Sequence, residues 1–439
     1  MGFVYLDHNA TTPLDPRARE AMLPWLGELH GNPSSIHRFG QAARNAMEEA
    51  RDRVAALIGA RPPEVIFTAS GTEANNMVMF DAARRAGGRG HLVISSIEHP
   101  SIRQAATRLE EARPEGNFEV TRVSPGTDGV VSASEVVTAL RPDTRLVCLM
   151  LANNELGTLQ PVAEVAAACR ERGIPVLCDA VQAVGKIPVD IRELGVDYLV
   201  LGGHKFHGPL GAAALWVRKG TEISGLLIGG SQERRRRAST ENVPAIVGLG
   251  AVAEAAASEI GERRAFLASL RDRFEAELPR RVPDAILHCA SSPRLPNTSH
   301  VAFPGVEGEA LLIRLDLAGF AVSTGSACSS GSVEPSRTLL AIGLSVEEAL
   351  SSLRVSFGMT NRPEEVDRFL DRLAHEVAEL RRLLPALPPW PPLPVQGEGE
   401  IPELAGRGRP SPGDGRGDGG EGPATAAGAP RTLSPEKVR

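Results

Sequence analysis

The sequence contains few cysteines, no excess of basic charge and no long apolar run. Its 439 residues include five cysteines and no Cys-x-x-Cys pair. This odd, widely spaced set argues against a disulfide framework or a zinc site and favours a reducing cytoplasm. The formal net charge of −6 gives no indication of a nucleic-acid or anionic-membrane partner. Neither a run of about 20 apolar residues nor a signal-peptide pattern is present, so we expect no membrane span and no leader.

Alternating apolar and helical patterns predict a mostly parallel sheet with helices on both faces. Hydrophobic residues make up 42% and charged residues 23% of the chain, as in an ordinary soluble enzyme, and the length allows two domains. The predicted strands are residues 64–69, 91–96, 118–123, 145–151, 174–180, 198–203 and 212–217. The predicted helical stretches include residues 71–87, 162–173 and 247–278.

The C-terminal third has a different pattern, which predicts a second, smaller α+β domain. Short strand-like segments such as "SHVAFPG" and "LRVSFG" precede an amphipathic helical pattern over residues 364–384. The N-terminal "FVYLDHNATTP" is strand and turn without a helix, so we expect it to pack beside this domain. The predicted division is a large domain at residues 16–260, a small domain at residues 1–15 and 261–384, and a tail at residues 385–439.

The predicted tail is rich in residues that break regular structure. It contains 12 Pro and 11 Gly in 55 positions, a composition typical of disordered sequence. An alternative for "PALPPWPPLP" is a polyproline II segment that docks on an aromatic groove.

A lysine in a glycine-rich turn is the first candidate for chemistry. Lys205 lies in "LGGHKFHGPLG", between two apolar runs that predict buried strands. Asp179 ends another predicted strand, 26 residues earlier, about one strand–crossover–strand unit. Because ligands of open α/β sheets bind outside the carboxyl ends of the strands, both side chains can face one cleft. Pyridoxal 5′-phosphate (PLP) needs this pair: a lysine for the Schiff base and an acid that keeps the pyridine nitrogen protonated. Taken alone, Asp179 is equally consistent with a helix N-cap.

Polar residues follow three further predicted strands. Gly71 and Thr72, in "TASGTEANN", open a helix whose positive end suits a phosphate, although an ordinary capping arrangement has the same pattern. His99 follows the next strand and suits stacking on a flat ring and proton transfer; a structural histidine is the alternative. "LANNELGTLQPV" provides Asn154 after a fourth strand. Four such strand ends together favour a cofactor site over chance.

These stretches together resemble the NifS/IscS-type cysteine desulfurases, PLP enzymes of the fold-type I aminotransferase class. The matching stretches occur in the family's order over residues 3–380: "VYLDHNATTPLDP", "GNPSSIHRFGQAAR", "FTASGTEANN", "EHPSI", "NNELGTLQP", "CDAVQAVGK", "GGHKFHGPLG", "RRRRASTEN", "STGSACSSGS" and "LRVSFGMTN". The resemblance implies an α/β fold whose large domain holds a mostly parallel seven-stranded sheet. It also implies a homodimer.

The resemblance implies a role for each candidate residue. Those assigned to the cofactor are Lys205 (PLP lysine), Asp179 (pyridine nitrogen), Gln182 (phenolic oxygen), His99 (stacking and proton transfer), Gly71, Thr72 and His204 (phosphate), Asn154 (cofactor and substrate) and Thr240 (phosphate of the neighbouring subunit). Arg354 would bind the substrate carboxylate in a two-pronged pair. Two departures are Gly202, where the family commonly has serine, and Ser239, where a glycine is common.

Cys328 is implied as the nucleophile that takes the sulfur. It lies among serines and glycines in "STGSACSSGS", with no hydrophobic stripe to join. The expected reaction is removal of sulfur from L-cysteine, giving L-alanine and a persulfide on Cys328 that passes to acceptors (EC 2.8.1.7). The length of its loop resembles the branch that serves iron–sulfur cluster assembly. Metal binding is expected at most as a transient iron–sulfur ligand at Cys328.

Two alternatives stay open at the level of the sequence. One is another PLP reaction, such as transamination or selenocysteine cleavage, and Cys328 argues against a transaminase. The other is a non-enzymatic scaffold that binds a sulfur carrier, against which the presence of both Lys205 and Asp179 argues. The sulfur acceptor and the function of the tail are not indicated.

Overall fold

The structure is a computed structural model that describes residues 2–111, 118–324 and 334–383. Its strands are β1 (Val4–Tyr5), β2 (Val65–Thr68), β3 (Gly90–Ser95), β4 (Phe118–Val123), β5 (Thr144–Cys148), β6 (Val176–Asp179), β7 (Tyr198–Gly202), β8 (Ala213–Val217), β9 (Ile286–Leu287), β10 (Thr298–Ala302), β11 (Phe320–Ala321) and β12 (Ser352–Ser356). Its helices are α1 (Pro16–Leu26), α2 (Arg38–Leu57), α3 (Gly71–Arg85), α4 (Pro100–Glu111), α5 (Ala133–Thr138), α6 (Val162–Glu171), α7 (Ile191–Leu194), α8 (Gln232–Arg235), α9 (Val243–Arg281), α10 (Gly308–Leu317), α11 (Arg337–Ala341), α12 (Val346–Leu350) and α13 (Pro363–Leu383).

A seven-stranded sheet forms the centre of the fold, in the order β2-β8-β7-β6-β5-β3-β4. All its neighbouring pairs are parallel except those of β8, which runs antiparallel to both β2 and β7. The predicted mostly parallel, seven-stranded sheet is therefore confirmed. The predicted strand 145–151 is three residues too long, since β5 ends at Cys148. The N–H groups of Leu149 and Leu151 still donate to the carbonyls of Leu177 and Asp179.

The central strands β6, β7 and β8 are mostly apolar because helices cover both faces of the sheet. Successive residues of one strand belong to opposite cores: Leu199 packs on one face and Val200 on the other. Helices α3 and α4 supply the core on the Val200 face. Helices α2, α6 and α9 supply the core on the Leu199 face.

A separate hydrophobic core lies around a three-stranded antiparallel sheet, β12-β10-β9. The N-terminal strand β1 pairs in parallel with β11, Val4 beside Phe320, and Leu6 is buried in the same core. The described residues, 2–111, 118–324 and 334–383, all belong to one compact unit. The two-domain division therefore stays a prediction, and the predicted tail lies outside the described residues.

The long helical prediction corresponds to one helix, α9, of 39 residues. By length and composition alone it could cross a membrane, although 56% of its most apolar window is buried inside the protein. It packs against α1, α2 and α13, as a core helix does.

Candidate active site

Lys205 ends a short 3₁₀ turn, Gly203–Lys205, that directly follows β7. Its Nζ donates to the main-chain carbonyls of Asn9 and Ala10, each at 2.7 Å. The turn folds tightly on itself, since a Cβ on Gly208 would lie 2.8 Å from the carbonyl oxygen of Gly203. The glycines around Lys205 thus allow the backbone to turn while the amine reaches inward.

Asp179 ends β6, the strand beside β7. One carboxylate oxygen accepts from Asn75 Nδ2 at 2.8 Å, and the other accepts from the N–H of Val181 at 3.0 Å. The side chain is buried, and among residues 2–111, 118–324 and 334–383 it forms no ion pair. A buried carboxylate held only by neutral donors is poised for a cationic partner.

Asn75 connects Asp179 to His99 through a hydrogen-bond chain that the sequence analysis missed. Its Nδ2 also donates to Ser101 Oγ at 3.0 Å, and Ser101 Oγ lies 2.8 Å from Nδ1 of His99. The N–H of Ser101 donates to the same Nδ1 at 3.1 Å, so this nitrogen is an acceptor and Nε2 carries the proton. A possible signal was the spacing of Asn75, four residues and one helical turn after Gly71.

Burial lowers the pKa of His99, and the nearby Lys205 lowers it further, while Asp179 opposes both. The charges of Lys205 and Asp179 therefore both act on His99. Burial also lowers the pKa of His204 to about 4, with Lys205 adding to the effect. The Nδ1 of His204 lies 3.2 Å from Thr11 Oγ1. Both imidazoles are therefore neutral at physiological pH.

The predicted phosphate-binding site is the N-terminus of α3, where Gly71 and Thr72 lie in the first turn. The capping alternative is also present, because Ser70 Oγ accepts from the N–H of Glu73 at 3.1 Å. Arg237 forms a two-pronged ion pair with Glu73 at 2.8 and 3.2 Å. This pair offsets the negative charge of Glu73 beside the predicted phosphate-binding site. The helix end consequently keeps its attraction for an anion.

Thr240 lies close in sequence to Arg237 and is exposed. The preceding Ser239 has φ +92°, in the left-handed region where glycine is at ease. Glu233 forms a buried ion pair with Arg51 at 2.7 Å. This ion pair fixes the start of the segment at residues 233–240, which ends at Thr240.

Gln182 and Lys186 form a buried polar cluster with Asn9. Gln182 Nε2 donates to the Asn9 carbonyl at 2.9 Å. Lys186 Nζ donates to Gln182 Oε1 and to Asn9 Oδ1, both at 2.8 Å. Burial, and then the charges of Lys205 and Arg354, lower the pKa of Lys186 well below its usual value. The sequence indicated no function for Lys186 or Asn9, although both lie in the stretches that carry the resemblance.

Arg354 reaches the site from β12. Its guanidinium pairs with Asp7 Oδ1 at 2.6 Å and donates to the Asn154 carbonyl at 3.0 Å. Its Nε is buried without a hydrogen-bond partner in the described part of the chain. The predicted pair of substrate residues, Asn154 and Arg354, is thus brought together.

Cys328 lies outside the described residues, so its predicted function stays a prediction. The chain after it is anchored by Glu155, whose carboxylate accepts from Ser336 Oγ and, at 2.7 Å, from Thr338 Oγ1. Among the described cysteines, Cys148, Cys169 and Cys178 are buried. Burial raises the pKa of each of these thiols, that of Cys169 to about 11.

The donor set fits PLP. Asp179 offers a buried carboxylate that has no ionic partner in the described part of the chain, Lys205 an amine at the adjacent strand end, and α3 a helix N-terminus with its first turn at Gly71. A Cβ at Gly71 would lie 2.9 Å from a methyl group of Val181, so glycine lets the first turn of α3 pack closely against Val181. Within the described ranges, no group of three or more His, Cys, Asp or Glu residues could hold a metal ion.

A family model for aminotransferase class V matches residues 4–369. The chain belongs to the class-V aminotransferase family. It is 45% identical over 388 residues to the cysteine desulfurase IscS of Dictyoglomus turgidum, covering 88% of this chain and 98% of that protein. It is 44% identical over 386 residues to the cysteine desulfurase IscS of Methanosarcina thermophila, covering 88% and 94%.

Solved structures of this family have the same fold. A NifS-like protein from Rickettsia africae superposes with a TM-score of 0.76 at 34% identity, covering 86% of this chain and 99% of that one. A structure of SspA in complex with cysteine gives a TM-score of 0.71 at 33% identity, covering 81% and 98%. The predicted NifS/IscS relationship and the fold-type I architecture are therefore confirmed.

Proposed function

We propose that this class-V family member is a PLP-dependent cysteine desulfurase (EC 2.8.1.7). It removes sulfur from L-cysteine, gives L-alanine and holds the sulfur as a persulfide on Cys328. The observation that carries the proposal is the placement of Lys205 and Asp179 at the ends of adjacent strands, with the buried carboxylate of Asp179 held only by neutral donors among the described residues. The names of the relatives, cysteine desulfurases at 44–45% identity, support it.

The cofactor would supply an electron-accepting ring for the carbon that loses its proton. Asp179 keeps the ring nitrogen protonated, since the low dielectric of its site strengthens its attraction for a cation. Lys205 would hold the cofactor through its amine and would accept the proton that the substrate carbon loses. Gln182 binds the phenolic oxygen, and His204 with the α3 residues Gly71 and Thr72 binds the phosphate.

Substrate positioning falls to Arg354 and Asn154. Arg354 already holds a carboxylate, that of Asp7, at 2.6 Å, so an incoming carboxylate would share or replace this partner. His99, with Nδ1 occupied by Ser101, presents its Nε2 as the group that exchanges protons with the thiols.

Cys328 is the proposed nucleophile because the resemblance assigns it this function and the four described cysteines are poor candidates. A thiolate is the reactive form, and burial raises the thiol pKa of Cys148, Cys169, Cys178 and the half-buried Cys289. The Cys328 thiolate would attack the substrate sulfur and form the S–S bond as the C–S bond breaks; the electron pair of that bond stays with the substrate carbon, which takes up a proton and leaves as L-alanine. The persulfide then passes to an acceptor protein, for iron–sulfur cluster assembly or other sulfur-containing products, with Cys328 as a transient cluster ligand at most.

The proposed working unit is a cytoplasmic homodimer. Exposure of Thr240 on the single chain supports its binding the phosphate in the neighbouring subunit. Exposed apolar side chains near this segment, such as Ile228 at 98% and Leu227 at 43%, suit burial against a second copy.

The test is production of alanine and sulfide from L-cysteine by the purified protein loaded with PLP. We expect equal amounts of both with a thiol reductant, and a bound cofactor that borohydride fixes to Lys205. Cys328→Ala should abolish sulfide release while the cofactor absorbance is kept, whereas Cys169→Ala should keep the activity. Full activity of Cys328→Ala would exclude the persulfide route, and a protein that stays colourless with added PLP would indicate a scaffold.

A further inference from the structure

Lys186 is buried between two amide side chains and contacts both. Its Nζ donates to Oε1 of Gln182 and to Oδ1 of Asn9, at 2.8 Å each. The residue is 4% exposed. Among the residues that the structure describes, it forms no ion pair with a carboxylate. It is therefore a buried amine whose described partners are two neutral oxygens.

A lysine amine in this position determines how each amide is oriented. The nitrogen and oxygen of an amide side chain occupy similar positions, and only their hydrogen-bond partners decide which is which. Because Lys186 donates to both amides, the oxygen of Gln182 is turned toward Lys186. Its nitrogen then faces the other way, where it donates to the Asn9 carbonyl at 2.9 Å and retains one further N–H.

The same logic holds for Asn9. Its Oδ1 accepts from Lys186 and from Asn297 Nδ2 at 3.1 Å. Its Nδ2 is consequently directed to the Asn154 carbonyl at 3.2 Å and to Thr298 Oγ1 at 2.9 Å. Lys186 thus favours the observed orientation of two amides, Gln182 and Asn9, which lie beside Lys205 and Asn154.

We propose that Lys186 is a positioning residue that locks the Gln182 amide with its N–H₂ toward the cofactor site. This rests on the proposed function, in which Gln182 donates to the phenolic oxygen of PLP. With the lock, the phenolic oxygen meets a hydrogen-bond donor; with the amide reversed, it would meet a carbonyl oxygen and be repelled.

Burial and nearby positive charge act together on Lys186. Lys205 and Arg354, both cationic, add to the effect of burial in lowering its pKa. The neighbouring His8 is buried with its pKa lowered to about 3, so it is neutral at physiological pH. In either protonation state Lys186 has at least two N–H groups, which match its two acceptors, Gln182 Oε1 and Asn9 Oδ1.

The test is a pH titration of the visible absorbance band of the holoenzyme. A donor at the phenolic oxygen stabilises its negative charge and helps the nitrogen joined to Lys205 to release its proton. Lys186→Met should therefore raise the apparent pKa of the band, by about half a pH unit to one, and speed cofactor release. Lys219→Met, which removes an exposed lysine, is the matched control and should leave the titration unchanged.

Gln182→Leu separates positioning from a simple charge effect. In that background Lys186→Met should change the titration no further, because the amide that Lys186 orients is gone. If Lys186→Met raised the apparent pKa of the band equally in the unmodified protein and in Gln182→Leu, or raised it in neither, the proposal would be overturned.

Lys186→Gln serves if the methionine variant does not fold. Its amide keeps the pocket polar but allows both orientations of Gln182, so the same rise is expected, and an unchanged titration would overturn the proposal. Failure of the proposed function itself is distinguishable, because the unmodified protein would then show no visible band with PLP.

Discussion

The Nζ of Lys205 lies 2.7 Å from the main-chain oxygen of Asn9, a residue 196 positions earlier in the chain. The same oxygen accepts from Gln182, so the N-terminal segment forms one wall of the candidate site. Strand β1, just before it, pairs with β11 beside the second core. Asn9 thus connects the strand ends of the large sheet to the small-sheet region that carries Arg354.

Replacing Asn9 should weaken the fold as well as the site. Asn9→Ala removes the side-chain oxygen that accepts hydrogen bonds from Lys186 and Asn297. It also removes the side-chain nitrogen that donates to Thr298. Buried polar groups left unpaired cost about 1–3 kcal/mol each, so we expect a loss of about 2–4 kcal/mol, seen as a lower urea midpoint. Asn32→Ala, at an exposed asparagine, should change the midpoint little. Equal midpoints for the two variants would contradict the importance of this network.

Arg354→Lys should weaken cysteine binding more than it weakens the fold. The lysine keeps the charge but loses the fork that can hold a carboxylate at two points. We expect the KM for L-cysteine to rise about 10- to 100-fold, which corresponds to the free energy of one or two hydrogen bonds to a charged group. Arg294→Lys alters another largely buried ion pair, with Glu275 at 2.8 Å, and should leave KM unchanged. A similar KM for both variants would show that Arg354 does not bind the substrate.

Ser239→Gly should stabilise the protein. Ser239 has φ +92°, which strains any residue with a Cβ by about 1 kcal/mol; glycine removes the strain. Ser231, in the same segment, has φ −88°, so Ser231→Gly should instead destabilise through chain entropy. Thermal midpoints measured on the two variants should move in opposite directions, and a shift of the same sign in both would show that the backbone at Ser239 is not strained.

Glu98 should make stability fall as pH rises. Burial raises the pKa of its carboxyl to about 8, with Asp179 adding to the effect. An acid with a raised pKa in the folded state contributes most below pH about 4.5, and this contribution is lost as pH rises through about 8. The slope approaches about 1.4 kcal/mol per pH unit between these values.

Glu98→Gln tests this dependence. The amide oxygen can keep the bonds from Ser95 Oγ and from the N–H of Met150, the latter at 2.8 Å. We expect stability close to that of the unmodified protein at pH 5 and clearly higher at pH 9, measured by urea unfolding at both values. Glu135→Gln, at an exposed first-turn glutamate of α5, is the control and should show no such difference. A pH-independent effect of Glu98→Gln would mean that Glu98 stays ionised throughout.

The sequence was sufficient to predict the parallel sheet, its strand-end residues Lys205 and Asp179, and the family. These follow from short-range properties: apolar runs predict strands, glycines predict turns, and the order of motifs identifies relatives. Boundaries were less certain, as with the strand that ends at Cys148 rather than at residue 151. Where the chain ends its strands depends on neighbouring strands, which a local pattern does not contain.

Only the tertiary structure decided which donor meets which acceptor. Asn75 binds Asp179 across 104 positions of sequence, and Lys186 binds Asn9 across 177. The raised pKa of Glu98 likewise depends on its burial and, to a smaller extent, on the nearby charge of Asp179. Residue types and spacing determine which chemical groups the chain brings to the site, whereas their orientation and charge depend on desolvation and on partners that become neighbours only when the chain is folded.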